Sequence, residues 1–220
     1  MHSRRLGLMG GTFDPIHWGH LDAAEAAAGA LGLTDLCFVP SHVPPHRPVQ
    51  PQASGFHRFA MTALAIQDIP GARVSDIELS RPGPSYSAET LAHLHTDGWR
   101  PSQIFFVIGS DAFAEIATWR GYPALLDLCH FAVISRAGAE PEAATGGPDQ
   151  IQSRLSTPAL LRSQPTRTCV VPVAALTRPT SSSEVRARVA GGRTVTDLVP
   201  PPVAAYISQQ GLYRPGQQFA

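Results

Sequence analysis

Apolar residues in this chain fall into short runs of strand length that alternate with stretches of helical spacing. Arg5–Met9 reads as a first strand and Leu36–Pro40 as a second. Ala72–Leu79 reads as a strand carrying polar positions, and Gln103–Ile108, with Ile-Phe-Phe-Val-Ile inside it, as the clearest buried strand. Phe131–Ile134 and Cys169–Val173 complete the set. Between them, the alanine-rich segment Trp18–Leu31 predicts a helix with an apolar stripe. Gly55–Gln67 has helical spacing that turns Phe59, Leu64 and Ile66 toward a core. A short helix is expected over Ala88–His95 and another after Ser110. A loop rich in Pro and His follows the second strand, from Ser41 to about Ala53.

Short strands separated by helices argue for an α/β fold: a doubly wound, Rossmann-like parallel sheet with helices on both faces, in a single domain over 1–220. In such sheets ligands bind beyond the carboxyl ends of the strands, near a switch in strand order. The segments richest in chemistry all follow strands: 10–20, 40–47, 109–111 and 181–186. Residues 137–168 differ in composition, with Ala, Gly, Glu and Pro clustered at their start, and read as a surface insertion or mobile loop with room for a short helix.

Composition narrows the class. A chain of 220 residues can bury one sizeable core. Its 43% hydrophobic and 15% charged content is that of an ordinary globular protein. A formal net charge of zero does not suggest a broad nucleic-acid surface, and no nucleic-acid partner is expected. Every side-chain amine or guanidinium is arginine, so any phosphate clamp must be Arg or His. Cys37, Cys129 and Cys169 are odd in number and form no CxxC; buried reduced thiols are the expectation. The first five residues lead straight into the first strand and no apolar run is long enough to span a membrane, so a cytoplasmic protein without a membrane partner is expected.

The most informative stretch is Gly10-Gly11-Thr12-Phe13-Asp14-Pro15-Ile16-His17-Trp18-Gly19-His20, a glycine turn between the first strand and the first helix. Small residues let the backbone approach an anion, and the unpaired N–H groups of a helix start point at it. Two imidazoles three residues apart can stabilise charge that develops in a reaction. A metal pair is the competing reading, with Asp14 and Asp22 available as partners, but it leaves the glycines unexplained. Polyphosphate chemistry explains both.

The stretch resembles the signature of the HxGH nucleotidyltransferase superfamily and, in its longer GGTFDPxHxGH form, that of the bacterial nicotinate-nucleotide adenylyltransferases. The likeness continues through most of the chain. Pro44-Pro45-His46-Arg47 resembles the family's Pro-Pro-His-Lys, with Arg in the Lys position. Gly83-Pro84-Ser85-Tyr86-Ser87-Ala88-Glu89-Thr90-Leu91 resembles its Gly-x-Ser-Tyr-Thr-x-x-Thr-Leu. Phe106–Asp111 resembles its Gly-x-Asp strand end, and Trp119 falls at the tryptophan that follows. Ser181-Ser182-Ser183-Glu184-Val185-Arg186 resembles Ser-Ser-Thr-x-Ile-Arg, with Ser for Thr at 183.

The resemblance implies adenylyl transfer from ATP to nicotinate mononucleotide, releasing pyrophosphate, with Mg²⁺ carried by the ATP and no dedicated protein metal site. It implies catalytic roles for His17, His20 and Arg47. ATP would lie against Gly10, Gly11, Thr12, Phe13, His17, His20, Arg47, Gly109, Asp111, Ser182, Ser183 and Arg186. Nicotinate mononucleotide would lie against Tyr86, Ser87, Trp119 and Arg120, its carboxylate held by the backbone N–H groups of Ser87 and Arg120. Read without the resemblance, Ser181–Ser183 form a helix N-cap, and Asp111 either reaches a ribose hydroxyl or caps the next helix. His42, His57, His93, His95 and His130 read as surface or structural. Nicotinamide mononucleotide or phosphopantetheine as acceptor, and a non-catalytic nucleotide-binding protein, are the alternatives. A homo-oligomer is compatible with the sequence.

Overall fold

The computed structural model describes residues 4–45, 50–136, 148–161 and 167–216. The expectations for His46 and Arg47, and for much of 137–168, lie outside these. In chain order the elements are β1 (Leu6–Gly11), α1 (Trp18–Leu31), β2 (Asp35–Pro40), α2 (Gly55–Ile66), β3 (Ala72–Val74), α3 (Ser87–Thr96), β4 (Ile104–Gly109), α4 (Ser110–Ala114), β5 (His130–Arg136), α5 (Asp149–Gln152), α6 (Pro158–Leu161), β6 (Val170–Ala175), α7 (Ser182–Ala190) and α8 (Pro201–Gln210).

The strands form one six-stranded sheet in the order β3-β2-β1-β4-β5-β6, with helices on both sides. β1 runs parallel to β4, with Leu6 opposite Ile104 and Leu8 opposite Phe106; β4 and β5, and β5 and β6, are parallel too. The order reverses between β1 and β4, so the switch point lies at the carboxyl ends of these neighbouring strands, near Gly10 and Gly109. β4 is apolar and buried from Ile104 to Ile108, as a central strand covered on both faces must be.

The chain divides into two compact units: residues through 10, 23–37 and 86–176 in one; 11–22, 38–85 and 177 onward in the other. The first is built on β4, β5 and β6. Within it, buried His130 stacks on Phe105 with centroids 4.7 Å apart, and its Nδ1 accepts the Cys169 N–H at 3.0 Å. In the second unit α2 packs against α8 and β3. All three cysteines are free and buried.

Two local expectations are corrected. The third strand ends at Val74 and does not reach Leu79. Beyond it the backbone finds local partners: the Ile77 N–H donates to Ser75 Oγ, and Ser80 donates from both its N–H and its hydroxyl to Asp76. Such side-chain bonds draw the chain out of a ladder. In α2, Ile66 is buried, but Phe59 and Leu64 are only half-buried; the other inward positions are Arg58, Met61 and Thr62. A periodicity count assigns an arginine outward. Here Arg58 turns in because carbonyl oxygens wait for it.

Candidate active site

Beyond β1 the chain turns through Thr12 and Phe13 into a buried stretch, Phe13–His17, before α1 begins at Trp18. Phe13 adopts a left-handed backbone, φ +48°. That conformation is disfavoured by about 1–2 kcal/mol for a residue with a Cβ. The gain is a fully buried ring, which meets Phe38 at 6.1 Å and the His20 ring edge-on at 5.1 Å.

His17 and His20 lie with ring centroids 3.8 Å apart and planes tilted by 30°. Both Nδ1 atoms are engaged. His20 Nδ1 accepts the backbone N–H of His17 at 3.2 Å, which places the proton of the neutral ring on Nε2. His17 Nδ1 faces Thr180 Oγ1 at 3.1 Å, and the same oxygen accepts the Gly19 N–H at 3.2 Å. Gly19 eases this approach: a Cβ there would crowd Thr180 Oγ1 at 3.1 Å and the His17 ring at 3.2 Å. Burial lowers the His17 pKa to about 4, against a smaller opposing pull from Asp22, so the ring is neutral at pH 7. Burial alone would raise the Asp22 pKa, but hydrogen bonds and charge from Arg178 outweigh it and the carboxyl is held low. Arg178 grips Asp22 through Nε, Nη2 and its backbone N–H, and its guanidinium lies 4.0 Å over the Trp18 ring.

Asp14 is the hub of the loop. Its buried carboxylate accepts the Gln52 and Ala53 N–H groups at 2.8 and 3.0 Å and the Tyr213 hydroxyl at 2.9 Å. Burial, then the Asp14 charge, pushes the Tyr213 pKa well up, so the phenol stays a donor. Arg186 Nη1 donates to the Asp14 carbonyl at 2.7 Å and lies 3.9 Å from its carboxylate. Arg58, 2% exposed, donates to the carbonyls of Ala53, Thr12 and His42.

Helix α7 is stitched to the same loop. Ser181 is its N-cap, accepting the Glu184 N–H at 3.1 Å. The Ser182 hydroxyl donates to the Pro15 carbonyl at 2.8 Å, and Arg186 Nη2 donates to Ser183 Oγ at 3.2 Å. Thus Gly11, Thr12, Phe13, His17, His20, Ser182, Ser183 and Arg186 belong to one unit. Arg58, Thr180, Tyr213 and the hub role of Asp14 are additions that sequence reasoning missed.

Gly10, Tyr86, Ser87, Gly109, Asp111, Trp119 and Arg120 belong to the other unit. Gly109 closes β4 and is the N-cap position of α4. Asp111 lies exposed in the first turn of α4, two residues past the N-cap position. Ser87 opens α3. The Arg120 guanidinium lies 4.5 Å over the Tyr86 ring and pairs with Glu89 at 3.0 Å. Trp119, half-buried, meets Phe106 edge-on with centroids 6.0 Å apart. Of the remaining histidines, His57 bonds Tyr206, His95 the Leu128 carbonyl and His130 the Cys169 N–H. Among the described residues no three His, Cys, Asp or Glu side chains gather as a metal-binding group. No described helix is long and apolar enough to cross a membrane.

The parallel sheet, with its first strand running into a glycine turn with paired imidazoles, coincides with a family match: the cytidylyltransferase-like family model matches residues 8–188. Curated relatives named "Probable nicotinate-nucleotide adenylyltransferase" are 41% identical in Cronobacter sakazakii, over 94% of both chains, and 36% identical in a Thermoanaerobacter species, over 97% of this chain and 96% of the other. The chain belongs to the nicotinate-nucleotide adenylyltransferase family. Its fold is similar to that of the Plasmodium falciparum nicotinic acid mononucleotide adenylyltransferase complexed with NaAD, with a TM-score of 0.66 at 19% identity over 96% of this chain and 98% of that one.

Proposed function

We propose that this chain transfers the adenylyl group of Mg-ATP to nicotinate mononucleotide, forming nicotinate adenine dinucleotide and pyrophosphate in NAD biosynthesis. The observation that carries this reading is the histidine pair, two imidazoles with centroids 3.8 Å apart whose Nδ1 atoms are both committed within the protein. The 5′-phosphate of the mononucleotide attacks the α-phosphorus of ATP in line. That phosphate is already ionised at neutral pH, so no protein nucleophile forms a covalent intermediate. Catalysis is positioning and charge stabilisation.

His17 and His20 donate from Nε2 to the α-phosphate and the leaving oxygen. The β- and γ-phosphates lie at the α7 N-terminus, held by first-turn amides, the Ser183 hydroxyl and Arg186, with Arg47 as a second cation. The Ser182 hydroxyl is committed to Pro15, so Ser182 contributes through its backbone. Mg²⁺ arrives with ATP, coordinated by phosphate oxygens and water. Gly10–Phe13 allow close approach of the backbone, and Gly109 and Asp111 face the adenosine portion.

The pyridine ring stacks on Trp119, and the N–H groups of Ser87 and Arg120 hold its carboxylate. One face of Tyr86 is already covered by Arg120. The chain acts as one nucleotidyltransferase domain with 137–168 as an insertion, a reading supported by a single family match spanning both compact units.

The test is pyrophosphate release from Mg-ATP with nicotinate and nicotinamide mononucleotides compared side by side. Turnover favouring the acid is expected. Equal or reversed preference would remove the acceptor assignment and keep the chemistry. No release with either, or with phosphopantetheine, would leave a nucleotide-binding protein.

A further inference from the structure

We propose that Thr180 is a positioning residue for adenylyl transfer, its hydroxyl bridging Gly19 and His17 so that His17 is held in the Nε2–H tautomer. The inference rests on the reading of His17 as a donor to the α-phosphate. A neutral imidazole carries one N–H, and only the nitrogen that carries it can donate. His17 is 8% exposed and neutral at pH 7, so the location of that single proton decides whether it contributes.

The hydrogen-bond partners point to the location. Thr180 Oγ1 has two partners among the described residues: the Gly19 N–H at 3.2 Å, which can only donate, and His17 Nδ1 at 3.1 Å. The hydroxyl proton therefore has one acceptor among those residues, Nδ1 of His17. If Nδ1 carried the proton instead, Thr180 would face two donors and its own O–H would have no acceptor among them. With the hydroxyl donating, the His17 proton sits on Nε2. His20 reaches the same state by a different route, because a backbone N–H donates to its Nδ1. Both rings, with centroids 3.8 Å apart, then carry their proton on Nε2.

The segment bearing Thr180 is itself anchored. Thr180 N–H donates to the Arg178 carbonyl at 2.8 Å, and Arg178 is bound to Asp22 by backbone and guanidinium together. Asp22 lies on α1, the helix that carries Gly19 and His20. Thr180 is thus held against the turn it orients.

Thr180→Val keeps the shape and removes the hydroxyl, and Thr180→Ser keeps the hydroxyl. For Thr180→Val, kcat should fall by about 10- to 100-fold with the KM for Mg-ATP within about twofold, a loss smaller than that of a direct donor. Thr180→Ser should stay within about threefold of wild type. A merely structural contact would not move the second readout: ¹⁵N spectra of the imidazoles, with His17 assigned by His17→Asn, should show Nε2–H in wild type and Thr180→Ser, and a mixture in Thr180→Val. Nδ1–H in the wild-type protein overturns the proposal, as does wild-type kcat in Thr180→Val or a Thr180→Ser as slow as Thr180→Val. Should Thr180→Val not fold, the wild-type spectrum and the Thr180→Ser kinetics decide. If wild type itself releases no pyrophosphate, the adenylyl-transfer reading falls, and the spectra still decide the tautomer.

Discussion

His20 offers the most direct test at the scale of one side chain. In the proposed role of a preorganised donor to a developing charge, its loss in His20→Ala should lower kcat for pyrophosphate release by roughly 10²–10³-fold with the fold intact. Near-wild-type turnover in a folded mutant would remove its role. Burial makes a second prediction. His17 and His130 both have pKa values lowered to about 4 by burial, against an unfolded value near 6.5. As pH falls below 6.5 the unfolded chain takes up these protons and the folded chain does not until about pH 4. Stability should therefore decline from pH 6.5 to 4, by at most about 3 kcal/mol per ring. Urea midpoints measured from pH 7 to 4.5 should fall, and His130→Gln, which keeps an acceptor for the Cys169 N–H, should flatten part of the slope. A flat wild-type profile would contradict neutral burial.

Among the elements, α2 concentrates the risk in one residue. Arg58 is 2% exposed and satisfies carbonyls on three separate stretches, at Thr12, His42 and Ala53. Arg58→Met would remove the donor from the buried Ala53 carbonyl and from the part-buried carbonyls of Thr12 and His42, at a loss of about 3 kcal/mol. Arg58→Lys should not restore it, because one ammonium cannot reproduce a planar fork. Denaturant unfolding of the two variants checks both statements, and a midpoint unchanged in Arg58→Met would show that the carbonyls find other partners. The elements also show where sequence reading succeeds. α1 is observed as predicted, Trp18–Leu31, and the apolar run at β4 could only be a buried strand. Helix α8 went unread because Pro200, Pro201 and Pro202 look like a breaker, whereas proline is well suited to a first helical turn. The glycine–histidine turn was legible because it is contiguous. Thr180, Arg58 and Tyr213 were not, because each acts on a residue 163, 46 or 199 positions away, and no local pattern encodes such a distance.

For the molecule as a whole, the buried Asp14 carboxylate ties distant segments into one unit: the turn after β1, the stretch at Gln52 and Ala53, helix α7 through Arg186, and Tyr213. Tyr213→Phe removes one hydroxyl from this junction and leaves the carboxylate two backbone donors. It should lower stability by about 1–3 kcal/mol. It should also lower kcat, since the loop that carries His17 is less firmly anchored. Unfolding and pyrophosphate assays on the same preparation would show the two losses together. Unchanged values in both would mean that Tyr213 is a bystander.

The Asp14 junction also imposes an order on synthesis. The ribosome makes the glycine–histidine turn well before the hydroxyl that completes its anchor, which follows 199 positions after Asp14. Until Tyr213 has left the exit tunnel the turn lacks that anchor, and before α7 emerges it also lacks Arg186 and Ser182. A nascent or prematurely stopped chain would therefore carry the signature residues without the bonds that anchor their turn.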